Sequence, residues 1–208
     1  TTADYQKSIT ELDGWTDYAR GIYADVLQSI ESHRELTLIR SARDILEAKR
    51  HNKTGILLGA EGGKLIENRI GNLADFYAIG VRHILLTWAY NNHISAGELD
   101  TSGAGLTDFG REVVHEMNRL GMLIDLTHLS RPAMYEVLAL SSRPVLNSHS
   151  TLKSLSHRTP AMTEDEIRAI AEKGGVFAIH FMTHMLTGRF APRATLQVYG
   201  QIFDQRVT

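Results

Sequence analysis

The chain has 208 residues, 43% of them apolar and 22% charged, with 22 Lys and Arg against 24 Asp and Glu for a formal charge of −2. These proportions are globular; they exclude disorder, collagen and coiled coil, and offer no basic excess for nucleic acid or an anionic membrane. The absence of cysteine excludes a disulfide scaffold, thiol catalysis and Cys-ligated zinc, while 10 histidines make imidazole the first place to look for chemistry.

The polar opening, Thr1 to Ser8, lacks the apolar segment of a signal peptide. No apolar run is long enough for a transmembrane helix, and a cytoplasmic protein is expected. The chain starts without Met, so it reads as a processed form or as part of a longer polypeptide. One domain over residues 1–208 is expected.

From Asp17 to Arg50 the pattern predicts helix. Tyr18, Ile22, Val26 and Ile30 recur every four residues as one apolar stripe. A second, short helix over Ala42–Arg50 has Ser41 as N-cap and basic residues at its C-terminal end. Then short apolar runs take over, each predicting a buried strand. They are Gly55–Ala60, Arg82–Thr87, Gly121–Leu126, Pro144–Ser148 and Gly175–Phe181.

Helical patterns separate these runs. They span Ile66–Ile79, Thr107–Leu120 with Thr107 as N-cap and Gly121 past the end, Ser130–Ser141, and Thr163–Lys173, which opens with the capping-box pattern Thr163-Glu-Asp-Glu166. Strand and helix in alternation predict βαβ units and a parallel sheet buried on both faces. After Thr187, Pro192 precedes a further helical pattern from Ala194.

In parallel α/β folds, functional groups collect at the C-terminal ends of the strands. The first run ends at Glu61, the third leads to His128, the fourth to His149 and the fifth passes His180 toward His184. Two imidazoles and a carboxylate converging at one rim suit a zinc-type divalent ion. Each also has an ordinary structural explanation: a loop carboxylate for Glu61, a residue at a helix start for His128, a packed core histidine for His149. Their joint placement favours the ion, because a carboxylate buried at a barrel mouth is costly unless a cation offsets it. His33, His51 and His115 fall on helix or loop surfaces, His83 falls at the wrong end of its strand, and His93, His180 and His184 are weaker candidates near the right end.

Several segments together resemble the membrane (renal) dipeptidase family, zinc metallopeptidases of the amidohydrolase superfamily. They are Gly59-Ala-Glu-Gly-Gly63, Gly80-Val-Arg-His-Ile-Leu-Leu-Thr87, Gly105-Leu-Thr-Asp-Phe-Gly-Arg111, Leu120-Gly-Met-Leu-Ile-Asp-Leu-Thr-His128 and Pro144-Val-Leu-Asn-Ser-His-Ser150. The resemblance runs from about Gly55 to Phe181. It implies an α/β fold, a parallel (β/α)₈ TIM-type barrel incomplete in this chain, with strands three to seven present. It implies a dipeptidase using two zinc ions. Glu61 matches the carboxylate that bridges them, His128 and His149 match the imidazoles of the second site, and Arg158 matches an arginine that holds the substrate carboxylate, at a spacing from His149 that differs from the usual one. A guanidinium fork suits that task. A homodimer is expected from the resemblance alone.

Three departures accompany it. No His-x-Asp, the family's first-strand metal pair, occurs in the sequence, and the last-strand Asp that serves as general base is absent too, so both are expected outside this chain. Trp88 stands where many members carry a substrate-facing His and is expected to contact substrate. The expected activity is hydrolysis of dipeptides by metal-activated water. The alternatives are an amidohydrolase acting on another small amide or N-acyl substrate, or a metal-poor, non-catalytic family member.

Overall fold

A computed structural model describes residues 13–155 and 161–181. Helix α1 (Trp15–Ser32) leads to strand β1 (Leu36–Leu38), helix α2 (Ala42–Arg50), β2 (Thr54–Ile56) and β3 (Leu58–Glu61). A 3₁₀ turn (Gly63–Ile66) and α3 (Gly71–Ile79) connect to β4 (Val81–Leu85). Then come α4 (Asp108–Leu120), β5 (Leu123–Asp125), α5 (Arg131–Leu140), β6 (Leu146–Leu152), β7 (Ala161–Met162), α6 (Glu164–Glu172) and β8 (Val176–Ile179).

All the pairings between the described strands are parallel. β3, β4, β5 and β6 lie in sequence order, β8 pairs with β6, and β7 adds a short ladder to the far end of β6. Parallel strands need crossover connections, and here α3, α4, α5 and α6 supply them. Neighbouring helices α1 and α3, α3 and α4, and α4 and α5 pack side by side. The core lies between these helices and the sheet: Leu73 and Phe76 of α3, Val113, Val114 and Met117 of α4, and Ala133 and Val137 of α5 bury against Val81, Ile84, Leu86, Ile124 and Leu126. The result is an incomplete (β/α)₈ barrel.

Local chemistry sets the helix ends where the sequence placed them. Ser41, Thr107, Ser130 and Thr163 each accept a hydrogen bond from a first-turn backbone N–H, and Thr163 with Glu166 closes a reciprocal capping box. Gly121 ends α4 with φ at 79°.

Four expectations need correction. The helix predicted from Asp17 to Arg50 is broken by β1, which pairs with β2 to form a small parallel unit around α2. The stripe predicted on α1 holds only in its second half: Val26 and Ile30 turn to the core together with Ala19, Tyr23 and Leu27, while Tyr18 and Ile22 are exposed. The strand predicted over Gly55–Ala60 is interrupted at Leu57, so that β2 joins β1 and β3 joins β4. The helix predicted from Ile66 begins only at Gly71, because Glu67 and Asn68 adopt left-handed backbone with φ of 49° and 54°.

That left-handed step has a tertiary cause. Gly14, the N-cap of α1, offers no side chain, and Glu67 supplies the missing acceptor by binding the Thr16 N–H at 2.9 Å. Thr16 Oγ1 in turn donates to Leu65 O at 2.7 Å.

Candidate metal centre

The carboxyl ends of β3, β4 and β5 and the middle of β6 form one rim. Glu61 is the last residue of β3. His128 lies three residues past β5, in the left-handed region with φ at 66°. Two hydrogen bonds to its carbonyl fix that backbone: Thr87 Oγ1 donates at 2.8 Å and Glu98 N at 2.8 Å. His149 lies within β6, not past its end as the predicted strand bounds implied, and sits where the register with β8 shifts between Asn147 and Ser150. Such irregularities turn a side chain out of the pleat.

Glu61, His128 and His149 converge. Glu61 Oε1 is 3.2 Å from His128 Nε2 and 3.3 Å from His149 Nε2, and the two imidazole nitrogens are 3.2 Å apart. One ligand atom from each lies within 4.8 Å of the others, the one such group among the described residues. Hydrogen bonds from His128 and His149 hold the Glu61 carboxyl far below the usual carboxylate range. Burial pulls the His128 pKa down, but hydrogen bonds to Glu61 and Glu98 outweigh it and raise the value to about 9. Three donors, two of them borderline nitrogens, sharing one focus fit a divalent cation of the zinc type.

The supporting layer is polar. His128 Nδ1 is 2.9 Å from Glu98 Oε1, and His149 Nδ1 is 2.8 Å from Ser148 Oγ. Asp125, fully buried under the rim, accepts from Thr127 N at 3.0 Å, Thr127 Oγ1 at 2.8 Å and Ser148 N at 3.2 Å. Its other oxygen is 3.3 Å from His83 Nε2, an ionic contact without hydrogen-bond alignment. Burial would raise the Asp125 pKa, but contacts with His83, Ser148 and Thr127 lower it instead. Gly59 makes room for His83, since a β-carbon there would collide with His83 Nδ1.

The remaining expected residues divide. Trp88 is 42% exposed at the rim, its ring 6.4 Å from that of His128, and with Glu61, Tyr90 and Trp15 it lines a cavity of about 420 Å³ beside α1. The exposed Tyr18 and Ile22 face the same cavity. His180 approaches the His149 ring to 5.4 Å but is outside the three-residue group. His93 stacks on Phe109, away from the group, and burial followed by the Lys64 charge lowers its pKa. Arg158, His184 and the helical pattern from Ala194 lie outside the described residues. Glu98, Ser148 and Asp125 were not singled out from the sequence. Asp125, inside a predicted strand three residues before His128, had a readable position; Glu98, in an irregular loop, had no periodic signal.

The comparisons agree with this geometry. The model of the membrane dipeptidase family, peptidase family M19, matches residues 22–205. An uncharacterized dipeptidase of Schizosaccharomyces pombe is 30% identical over 188 residues, 84% of this chain and 45% of the relative. Dipeptidase 3 of Homo sapiens is 33% identical over 154 residues, 71% of this chain and 31% of the relative. Among solved structures, an amidohydrolase from Pseudomonas aeruginosa superposes with a TM-score of 0.77 at 29% identity, covering 82% of this chain and 55% of that one. A metallopeptidase from Rhodobacter sphaeroides, liganded with a phosphinate mimic of the dipeptide L-Ala-D-Ala, gives 0.78 at 24% identity, covering 83% and 51%. The chain thus spans about half or less of the length of these relatives. With a family match over most of its residues and the three donors gathered at the barrel rim, the chain belongs to the membrane dipeptidase (M19) family.

Proposed function

We propose that this chain carries the Glu61, His128 and His149 half of a zinc centre in a dipeptidase. The observation that carries the reading is the triangle of Glu61 Oε1, His128 Nε2 and His149 Nε2, with sides of 3.2, 3.3 and 3.2 Å. Such a cluster of an anion and two imidazoles is hard to account for as packing alone, since Glu61 is half exposed and gains no core burial.

When bound, a divalent ion supplies Lewis-acid polarisation of the scissile carbonyl and acidifies a water near neutral pH. The chain's own groups do the rest of what can be assigned here. Glu61 would provide the anionic donor, the role its match to the family's bridging carboxylate implies. His128 and His149 present Nε2, with their Nδ1 atoms engaged by Glu98 and Ser148. Trp88 forms an aromatic wall beside the centre. Arg158 is the proposed clamp for the free carboxylate of a dipeptide, which would restrict length rather than side chain.

A second reading rests on Trp88 and the cavity it lines with Tyr90 and Trp15. A bulky indole at this rim would suit an N-acyl or other small amide substrate. Both readings are tested with the full-length protein by metal analysis and by hydrolysis of simple dipeptides against N-acyl amino acids. Zinc with turnover of dipeptides supports the first reading, and preference for N-acyl amino acids supports the second. Bound zinc with no hydrolysis of either class removes both.

A further inference from the structure

The loop between β4 and α4 is built more rigidly than its length suggests. Asn92 Oδ1 accepts from Ile94 N at 2.8 Å and Ser95 N at 3.1 Å, while its amide donates to Leu86 O at 2.7 Å. Asn91 Oδ1 accepts from Gly97 N at 2.9 Å, and its amide donates to Asp100 Oδ1 at 2.9 Å. Asp100 Oδ2 gathers Ser102 N and Ser102 Oγ at 3.0 and 2.7 Å. A backbone bond from Leu99 N to Ala89 O closes the loop on itself, and one from Ser130 N to Ala96 O ties it to the start of α5. Gly97 is pressed so close to Ala89 O and the Tyr90 backbone that an added β-carbon would lie 2.6–2.7 Å from them.

The product of this scaffolding is one side chain in one place. Glu98 N donates to His128 O at 2.8 Å, and Glu98 Oε1 lies 2.9 Å from His128 Nδ1. Backbone and side chain of Glu98 therefore grip backbone and side chain of the same histidine. Both side chains are sheltered, at 8% exposure for His128 and 11% for Glu98. A carboxylate can only accept, so the imidazole proton facing it sits on Nδ1. Nε2 faces Glu61 and His149, and its lone pair serves that focus once a cation takes the place of the proton shared with Glu61.

We propose that Glu98 is a positioning residue of the metal centre. Its carboxylate selects the Nδ1–H tautomer of His128, fixes the ring plane and increases the donor strength of Nε2. The inference rests on the reading of Glu61, His128 and His149 as metal ligands. Carboxylates behind metal-bound imidazoles act in this way, and their loss typically weakens metal binding by about 10–100-fold.

The test is zinc affinity of the full-length protein, by competition with a chromophoric chelator, for the wild type, E98A, E98Q and H128A. Far-UV circular dichroism checks the fold of each. The wild type is expected to bind and H128A to lose the centre. E98A keeps the wild-type stoichiometry with affinity lower by about 10–100-fold, and E98Q, which retains an acceptor without the charge, falls between the two. In ¹H–¹⁵N spectra of the zinc-loaded wild type, the His128 Nδ1–H gives a slowly exchanging signal that E98A abolishes. Wild-type affinity and an intact Nδ1–H signal in E98A would overturn the proposal. So would the loss of one metal equivalent in E98A, which would make Glu98 a ligand, or an E98Q loss equal to that of E98A, which would reduce its role to charge. If the wild type binds no zinc, or H128A binds as well as the wild type, the metal-centre reading falls and this inference with it.

Discussion

At the residue scale, the centre is defined by donors that compete for protons as well as for metal. A cation must displace the proton that Glu61 and Glu98 stabilise on His128, whose pKa is raised to about 9. Below that value each fall in pH protonates a larger fraction of His128, so metal affinity falls as pH falls, by about tenfold per unit where this single proton dominates. Glu61, held well below the usual range, adds no slope near neutrality. Titrating zinc affinity between pH 6 and pH 8 checks this, and an affinity independent of pH would contradict it. Thr87 makes a second residue-scale case. Its hydroxyl supports the left-handed backbone of His128 from a fully buried position. T87V keeps the shape and removes the donor, and is expected to cost about 1 kcal/mol, read from the midpoint of urea unfolding. Glu61, His128 and His149 were legible from the sequence because each follows a predicted strand and the family resemblance falls on the same three positions, although His149 lies within β6. Glu98 was not, because its place depends on side-chain bonds of Asn91, Asn92 and Asp100 that have no period.

At the scale of elements, the capped helices were readable and the broken ones were not. Ser41, Thr107, Ser130 and the Thr163–Glu166 box act within four residues of sequence, so their signals are local. The late start of α3 and the N-terminal cap of α1 are one event between distant segments, with Glu67 leaving helical backbone to serve Thr16. Removing that carboxylate strands a buried N–H. E67A is therefore expected to destabilise the fold by about 1–3 kcal/mol, measured by denaturant unfolding, whereas a cost near zero would show that α1 needs no acceptor there. The face of α1 was misplaced in part for a similar reason. Periodicity found an apolar stripe through Tyr18, Ile22, Val26 and Ile30, but the helix carries apolar residues on two adjoining sides, and packing against α3 brings in Tyr23 and leaves Tyr18 and Ile22 exposed. The break at Leu57 follows from pairing: β2 and β3 take different partners, which no single-strand pattern encodes.

At the scale of the whole molecule, the parallel order β3, β4, β5, β6, β8 brings together side chains that are distant along the chain. Close packing between strands is part of that delivery. Gly59 of β3 leaves the space in which His83 of β4 meets Asp125 of β5, and Asp125 in turn holds the Ser148 N–H beside His149. G59A would drive a methyl group into His83 and is expected to cost about 1–3 kcal/mol, seen as a lower thermal midpoint; an unchanged midpoint would show that the strands separate freely. The central claim is that three side chains from β3, the segment after β5, and β6 share one cation. The most direct measurement is anomalous diffraction at the zinc edge from crystals of the full-length protein. The account predicts a peak about 2.0–2.2 Å from a Glu61 oxygen and from Nε2 of His149 or His128, with the remaining imidazole bound to the same ion. Zinc-replete crystals with no peak between these residues, or with the imidazoles turned away from it, would contradict it.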